Sequence, residues 1–183
     1  MALQTKVQSS FVPGIVGEFS DNSPKVARQY LTYGVGGTAD PAFGKVFSFL
    51  EKTVDAATGA AVTAAQQGVV NGKAVMGILV NPKEHYIVGF KTGRTIANGT
   101  AATIATCGHI WVFAKTATVA GDDVYIDANG DLYGASATGR YPLSGAKWLK
   151  TTRALATGET EILSEVAIND CVAGEAVPEP SAD

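Results

Sequence analysis

From Lys45 onward the apolar residues of this chain come in short runs, each ended by turn-forming residues, and that rhythm constrains the fold more than anything else in the sequence. Val46-Phe47-Ser48-Phe49, Gly77-Ile78-Leu79-Val80 and Tyr86-Ile87-Val88-Gly89-Phe90 are rich in β-branched and aromatic residues. Such runs are too short for a buried helix and suit strands. Asn81-Pro82 supplies a turn between the second and third. Ala102 to Cys107, Ile110 to Phe113 and Val124-Tyr125-Ile126 follow. Asn129-Gly130 then reads as a type I′ hairpin turn before Leu132-Tyr133. Later candidates are Trp148-Leu149 and Ile162 to Ile168, where Ile162, Val166 and Ile168 share one face while Glu161, Glu165 and Asn169 share the other. Many short strands at close spacing predict an all-β barrel or sandwich, with Ile110, Val112, Val124 and Ile126 in or near its core.

Two stretches depart from that rhythm. Thr53 to Gly72 is alanine-rich and contains the pair Gln66-Gln67. A long loop or β-excursion is the preferred reading there. A short helix over Ala56 to Gln67 is the alternative, because alanine favours helix. Residues 1–44 hold Pro13, Pro24 and Pro41 with Gly14, Gly17, Gly34, Gly36 and Gly37 among their glycines, yet also Phe11, Val12, Ile15, Val16, Phe19, Tyr30, Leu31 and Tyr33. Proline and glycine oppose regular structure, while that much apolar surface is unsuited to a free linker. An extended arm that buries its apolar side chains on a partner reconciles the two. The expected organisation is therefore an arm over 1–44, a compact β body over 45–170 with an insertion at 53–72, and an acidic extended tail over 171–183. That tail carries Glu175, Glu179 and Asp183 with Pro178 and Pro180, and no basic residue.

Charge narrows the partners. Fourteen basic residues stand against seventeen acidic ones, so no basic face for nucleic acid is expected. Charged residues make up 17% of the chain, below the roughly 25% of ordinary soluble domains, which suggests that part of the surface is covered by something other than water. The longest apolar run, Ala74 to Val80, is too short to span a bilayer, so no membrane partner is expected. The opening residues Met1 to Lys6 lack the apolar stretch of a signal peptide, which points to a cytoplasm-like compartment.

No catalytic constellation emerges. The histidines, His85 and His109, are too few for a metal site with Cys107, and no Gly-x-Ser-x-Gly elbow is present. Gly34-Val35-Gly36-Gly37 lacks the strand before it and the Lys-Ser/Thr after it that a phosphate loop needs, and reads as a bend. Asp122, Asp123, Asp127 and Asp131 are close in sequence, but the glycine falls at the wrong position for a calcium loop, so turn chemistry is preferred. Cys107 and Cys171 read as small buried hydrophobes, with a disulfide as the alternative. No cofactor, metal or enzymatic activity is expected.

Two stretches resemble a known family. Pro13-Gly14-Ile15-Val16-Gly17-Glu18-Phe19-Ser20-Asp21-Asn22-Ser23-Pro24 is the first. The second begins with Val80-Asn81 and Val88-Gly89-Phe90, continues through Gly108-His109-Ile110-Trp111-Val112, and ends with Val119-Ala120-Gly121-Asp122-Asp123-Val124-Tyr125. Together, over roughly residues 10 to 135, they resemble the structural cement proteins that decorate the heads of tailed phages. The resemblance implies a non-enzymatic virion protein, made in the host cytoplasm and seated on the capsid surface, where it stabilises contacts between major capsid protein subunits. It implies a homo-oligomer, a trimer rather than a dimer. With the arm's composition it makes Phe11, Pro13, Ile15, Val16, Phe19 and Pro24 the expected capsid contacts. Another virion part (a tail tube or head-fibre β domain) is the second reading. The third is a carbohydrate-binding module using Trp111, Trp148, Tyr125, Tyr133 or Tyr141.

Overall fold

The computed structural model describes residues 15–20, 24–55, 59–70, 73–81, 90–91, 94–176 and 178. Its elements are β1 (Val26–Tyr33), β2 (Val46–Asp55), β3 (Ala60–Gln67), β4 (Val75–Val80), β5 (Phe90–Lys91), β6 (Thr95–Ile96), β7 (Thr100–Ala114), β8 (Asp123–Ile126), β9 (Leu132–Tyr133), β10 (Tyr141–Trp148) and β11 (Ile162–Ala173). Among the described residues the only helical element is a three-residue 3-10 turn, Val35–Gly37. The fold is all-β, as the strand rhythm predicts. Nine strands share one sheet in the order β1-β3-β2-β4-β7-β11-β10-β8-β9, while β5 and β6 pair separately. Because β1 also pairs antiparallel with β7, the first five strands close into a barrel. The others curl until β9 meets the end of β7, where Ala114 lies beside Leu132 and the Lys115 amide donates to the Leu132 carbonyl at 2.8 Å.

β7 runs unbroken for fifteen residues and serves both halves, so the two runs 102–107 and 110–113 are one strand. A bulge makes this double service workable. Val26 faces Cys107 while Ala27 faces Ala105, which leaves Thr106 unopposed in β1. An extra residue on one strand swaps the faces of every side chain after it. Before the bulge Ala102 and Ile104 join one core, with Phe47, Ala65, Leu79 and Ile96. After it the same parity, Ile110, Val112 and Ala114, joins a second core with Val124, Ile126, Leu132, Trp148 and Val166. β4 carries a matching irregularity, with Ser48 opposite Val75 and Phe47 opposite Gly77, and it is buried on both faces. Met76 and Leu79 enter the first core, Ile78 and Val80 the second.

The alanine-rich stretch is a β-excursion, not a helix. β2 and β3 pair antiparallel from Phe47–Gln67 out to Asp55–Ala60, and β3 slots between β2 and β1. Ala64 and Ala65 are fully buried there, so the small side chain that favours helix in isolation also lets strands pack closely. Gln67, buried as well, accepts from the Ala42 amide at 2.9 Å and donates to the Asn129 carbonyl at 3.0 Å, tying the barrel to the β8–β9 turn.

Other differences have local causes. Residues 26–33 were expected within an arm that runs to residue 44, but β1 pairs with β7 along Val26 to Thr32 and with β3 at Leu31 to Tyr33. Its own pattern hides this, because Val26–Gln29 is exposed on both faces and shows no alternation. β11 runs past residue 170 to Ala173, by way of Asp170 at φ 44. The β8–β9 turn has a positive φ at Gly130 but not at Asn129, so it is not type I′. The Gly130 amide bonds the Asp127 carbonyl at 3.0 Å, which makes it a type I turn closed by a left-handed glycine. The strand expected over Tyr86 to Phe90 lies, apart from Phe90, outside the described residues.

The closest approach in the shared wall sets a test. A Cβ on Gly77, at φ 153, would lie 1.9 Å from the Ala105 carbonyl oxygen. Gly77→Ala should therefore force β4 from β7 and destabilise the fold by about 2 kcal/mol or more, measured as a fall in denaturant midpoint with the far-UV β signature retained.

Candidate functional site

Residues 15–20 run along β7 at the edge that β1 occupies further on. The Gly17 amide donates to the Trp111 carbonyl at 2.7 Å, the Trp111 amide to Glu18 at 2.9 Å, and the Ser20 amide to His109 at 2.9 Å. The Asn81 amide donates to the Gly17 carbonyl at 2.8 Å, so the segment is held from both sides. Gly17 suits this position, since at φ 83 its missing side chain would stand 3.0 Å from the Phe43 Cβ.

This placement sorts the expected contact residues. Val16 is 7% exposed and belongs to the first core. Phe19 bridges to Ile110, packs against the second core, and has the Lys25 ammonium 4.8 Å above its ring. Both therefore anchor the segment to its own body. Ile15 is 63% exposed, Pro24 is exposed, and Phe11 and Pro13 lie outside the described residues.

Beside Ile15 lies a cavity of about 250 Å³, walled by Val16, Phe43, Phe113, Leu163 and Arg94. The Arg94 guanidinium stacks 4.0 Å over the Phe113 ring and pairs with Glu161. From Glu161 a chain of charges continues through Lys115 (3.4 Å) to Asp131 (3.8 Å) and on to Lys45. It links the starts of β2, β9 and β11 to the end of β7, so the groove's rim is cross-tied to both cores. Burial alone would push the Glu161 pKa up, but Arg94 and Lys115 outweigh it and hold the carboxyl below its ordinary value.

The remaining candidates take structural roles. Asp127 accepts from the Asn129 and Asp131 amides at 2.9 and 3.0 Å and from the Tyr133 hydroxyl at 3.1 Å, shaping the turn. Burial, with Asp127 beside it, pushes the Tyr133 hydroxyl up to about 12. Asp123 pairs with Lys147 at 2.7 Å. Among the described residues no three His, Cys, Asp or Glu side chains converge on a metal position. The thiols of Cys107 and Cys171 are both free, and burial raises Cys171 to about 11. The five aromatic candidates do not form one platform. Trp148 is fully buried, Trp111 lies beneath Lys150 at 5.2 Å, and Tyr133 beneath Arg140 at 3.8 Å. The groove itself was not legible in sequence, because Phe113 and Leu163 fall within ordinary strand runs and nothing local marks Arg94 as their neighbour.

A family model described as "Structural cement protein (E217 gp24/Pam3 gp6)" matches residues 3–167. No curated protein matches the chain. Among solved structures, a chain from "The capsid of Myoviridae Phage XM1" aligns with a TM-score of 0.59 at 18% identity, covering 92% of this chain and 98% of that one. That likeness speaks for the fold.

The rim network yields a pH test. A carboxyl whose folded pKa lies below its unfolded value adds stability that is full above the unfolded pKa and fades as pH falls through the folded one. Glu161→Gln should thus cost about 1 kcal/mol near neutral pH. The gap between the two proteins should close in acid, below the ordinary carboxylate range, when their melting curves are compared across pH.

Proposed function

The chain belongs to the phage structural cement protein family, and from that premise we propose that it binds the outside of a phage capsid and stabilises contacts between major capsid protein subunits. The observation that carries this reading is the family match across residues 3–167, which takes in nearly the whole barrel pair. The build of the molecule supports it. A cement must stay rigid under load, and here one strand threads two packed cores while a chain of ion pairs braces the outside. The reading makes the protein a non-enzymatic virion component at the capsid surface, produced in the host cytoplasm.

The contact surface proposed is the N-terminal stretch with the groove at its root. Ile15 stands exposed beside Phe113 and Leu163, and Phe11 and Pro13 precede it by only a few residues. Val16 and Phe19 serve as anchors that fix where this stretch leaves the body, and Pro24 marks its return to β1. Extended segments of this kind bind through main-chain hydrogen bonds and spaced apolar side chains. Each large apolar side chain contributes about 1.5 to 3 kcal/mol on full burial. Ordering the backbone costs about 1 to 2 kcal/mol per residue, so a single copy binds weakly and repetition over the shell supplies the strength.

Truncation at two points separates anchoring from binding. Deleting residues 1–14 should leave the melting curve within about 0.5 kcal/mol of the full chain, since every described hydrogen bond of residues 15–20 survives. Co-sedimentation with undecorated heads should fall sharply, and Ile15→Asp should reproduce part of the loss. Deleting residues 1–24 should instead destabilise the body, by stripping Val16 and Phe19 from the two cores. Full occupancy of heads by the protein lacking residues 1–14 would show that the body alone binds.

A further inference from the structure

We propose that the open edge of β1 at Val26–Tyr30 takes up the acidic C-terminal segment 174–183 of a second copy of this chain as an added strand. Among the described residues β3 pairs with β1 only at Leu31–Tyr33, so over Val26–Tyr30 the edge turned away from β7 has no partner strand. Val26, Ala27, Arg28 and Gln29 are all exposed, Val26 to 48%. Alternate residues of a strand present both amide and carbonyl to the same edge, and an uncovered edge of this kind is a template for another strand. The bulge between Val26 and Ala27 puts its extra residue, Thr106, on β7 and not on β1, and no proline falls within Val26–Tyr30.

The tail's chemistry fits that edge. Arg28 and Lys25 have no carboxylate partner among the described residues, whereas 174–183 holds Glu175, Glu179 and Asp183 without a basic residue. Its prolines also fall usefully. Pro178 and Pro180 share one parity, so the donors of Val177, Glu179 and Ser181 all remain on the opposite edge. A strand paired through those odd residues would turn its donor-poor side outward and stop further addition. A second copy is favoured over the same chain because Cys107 of β7 stands between Val26 and Asn169. β1 and β11 therefore flank opposite edges of β7, and a chain's own tail departs on the far side from its own β1. The contact does not depend on capsid binding.

Sedimentation velocity of the full protein without heads tests it. The full chain should self-associate, and removal of residues 174–183, Arg28→Glu, or Glu179→Arg should each weaken association about tenfold or more. Combining Arg28→Glu with Glu179→Arg should restore it, which no loss of folding would do, and unchanged melting curves should accompany every variant. A full chain that stays monomeric across the accessible concentrations overturns the proposal. So does an association indifferent to the tail, or a tail that cross-links to Arg28→Cys only within one chain.

Discussion

Everything in this protein hangs on a wall that is buried on both sides. β4 and the bulged middle of β7 separate two apolar cores, and β4 has no solvent face at all. A strand with unbroken alternation has one inside and one outside. Shifting parity by one residue at Thr106, and again near Gly77, lets the same two strands face one core early and the other late. The cost is a backbone approach so close that Gly77 has no room for a side chain. The benefit is one body in place of two barrels on a hinge, because the cores share their partition.

The polar structure serves the same end. Among the described residues no buried side-chain nitrogen or oxygen lacks a hydrogen-bond partner. Ser48 donates to the Gly68 carbonyl at 2.7 Å, and the buried hydroxyls of Thr118 and Ser164 lie 3.0 Å apart. An unmet buried group costs about 1 to 3 kcal/mol, so a fully met set removes places where the body could open locally. The partly buried charge chain from Arg94 to Lys45 ties strand ends that would otherwise fray. The N-terminal segment is pinned into this frame by Val16 and Gly17, which gives whatever precedes Ile15 a fixed point of departure. Fixing that point limits the ordering entropy that remains for a partner to meet.

Parts of this were legible in the residues and parts were not. The runs at Val46, Gly77, Ile110, Val124 and Ile162 announced themselves through β-branched and aromatic content, and the core positions Ile110, Val112, Val124 and Ile126 followed from alternation. β1 was hidden because Val26–Gln29 buries neither face, and β10 because Pro142 and Gly145 interrupt its pattern. β3 was ambiguous because alanine suits either conformation and only its neighbours decide. Val16 and Phe19 looked like exposed arm residues for a related reason. A short apolar segment beside proline and glycine gives no sign of whether its own body or a partner will cover it. The groove was illegible altogether, since Ile15, Arg94, Phe113 and Leu163 lie far apart in the chain.

By itself, the sequence determined the class of fold, the place of the turn at Asn129-Gly130 though not its type, the family resemblance and the low charge, because each depends on residues close together or on totals. Tertiary structure alone decided that β7 is one strand with two cores, that residues 15–20 and β1 pack into the body, and that among the described residues β3 pairs with β1 only at Leu31–Tyr33. The physical reason lies in the strand itself. Its residues fix only which side chains alternate, while hydrogen-bonded neighbours far away in the chain fix where the register slips and which edge is left uncovered.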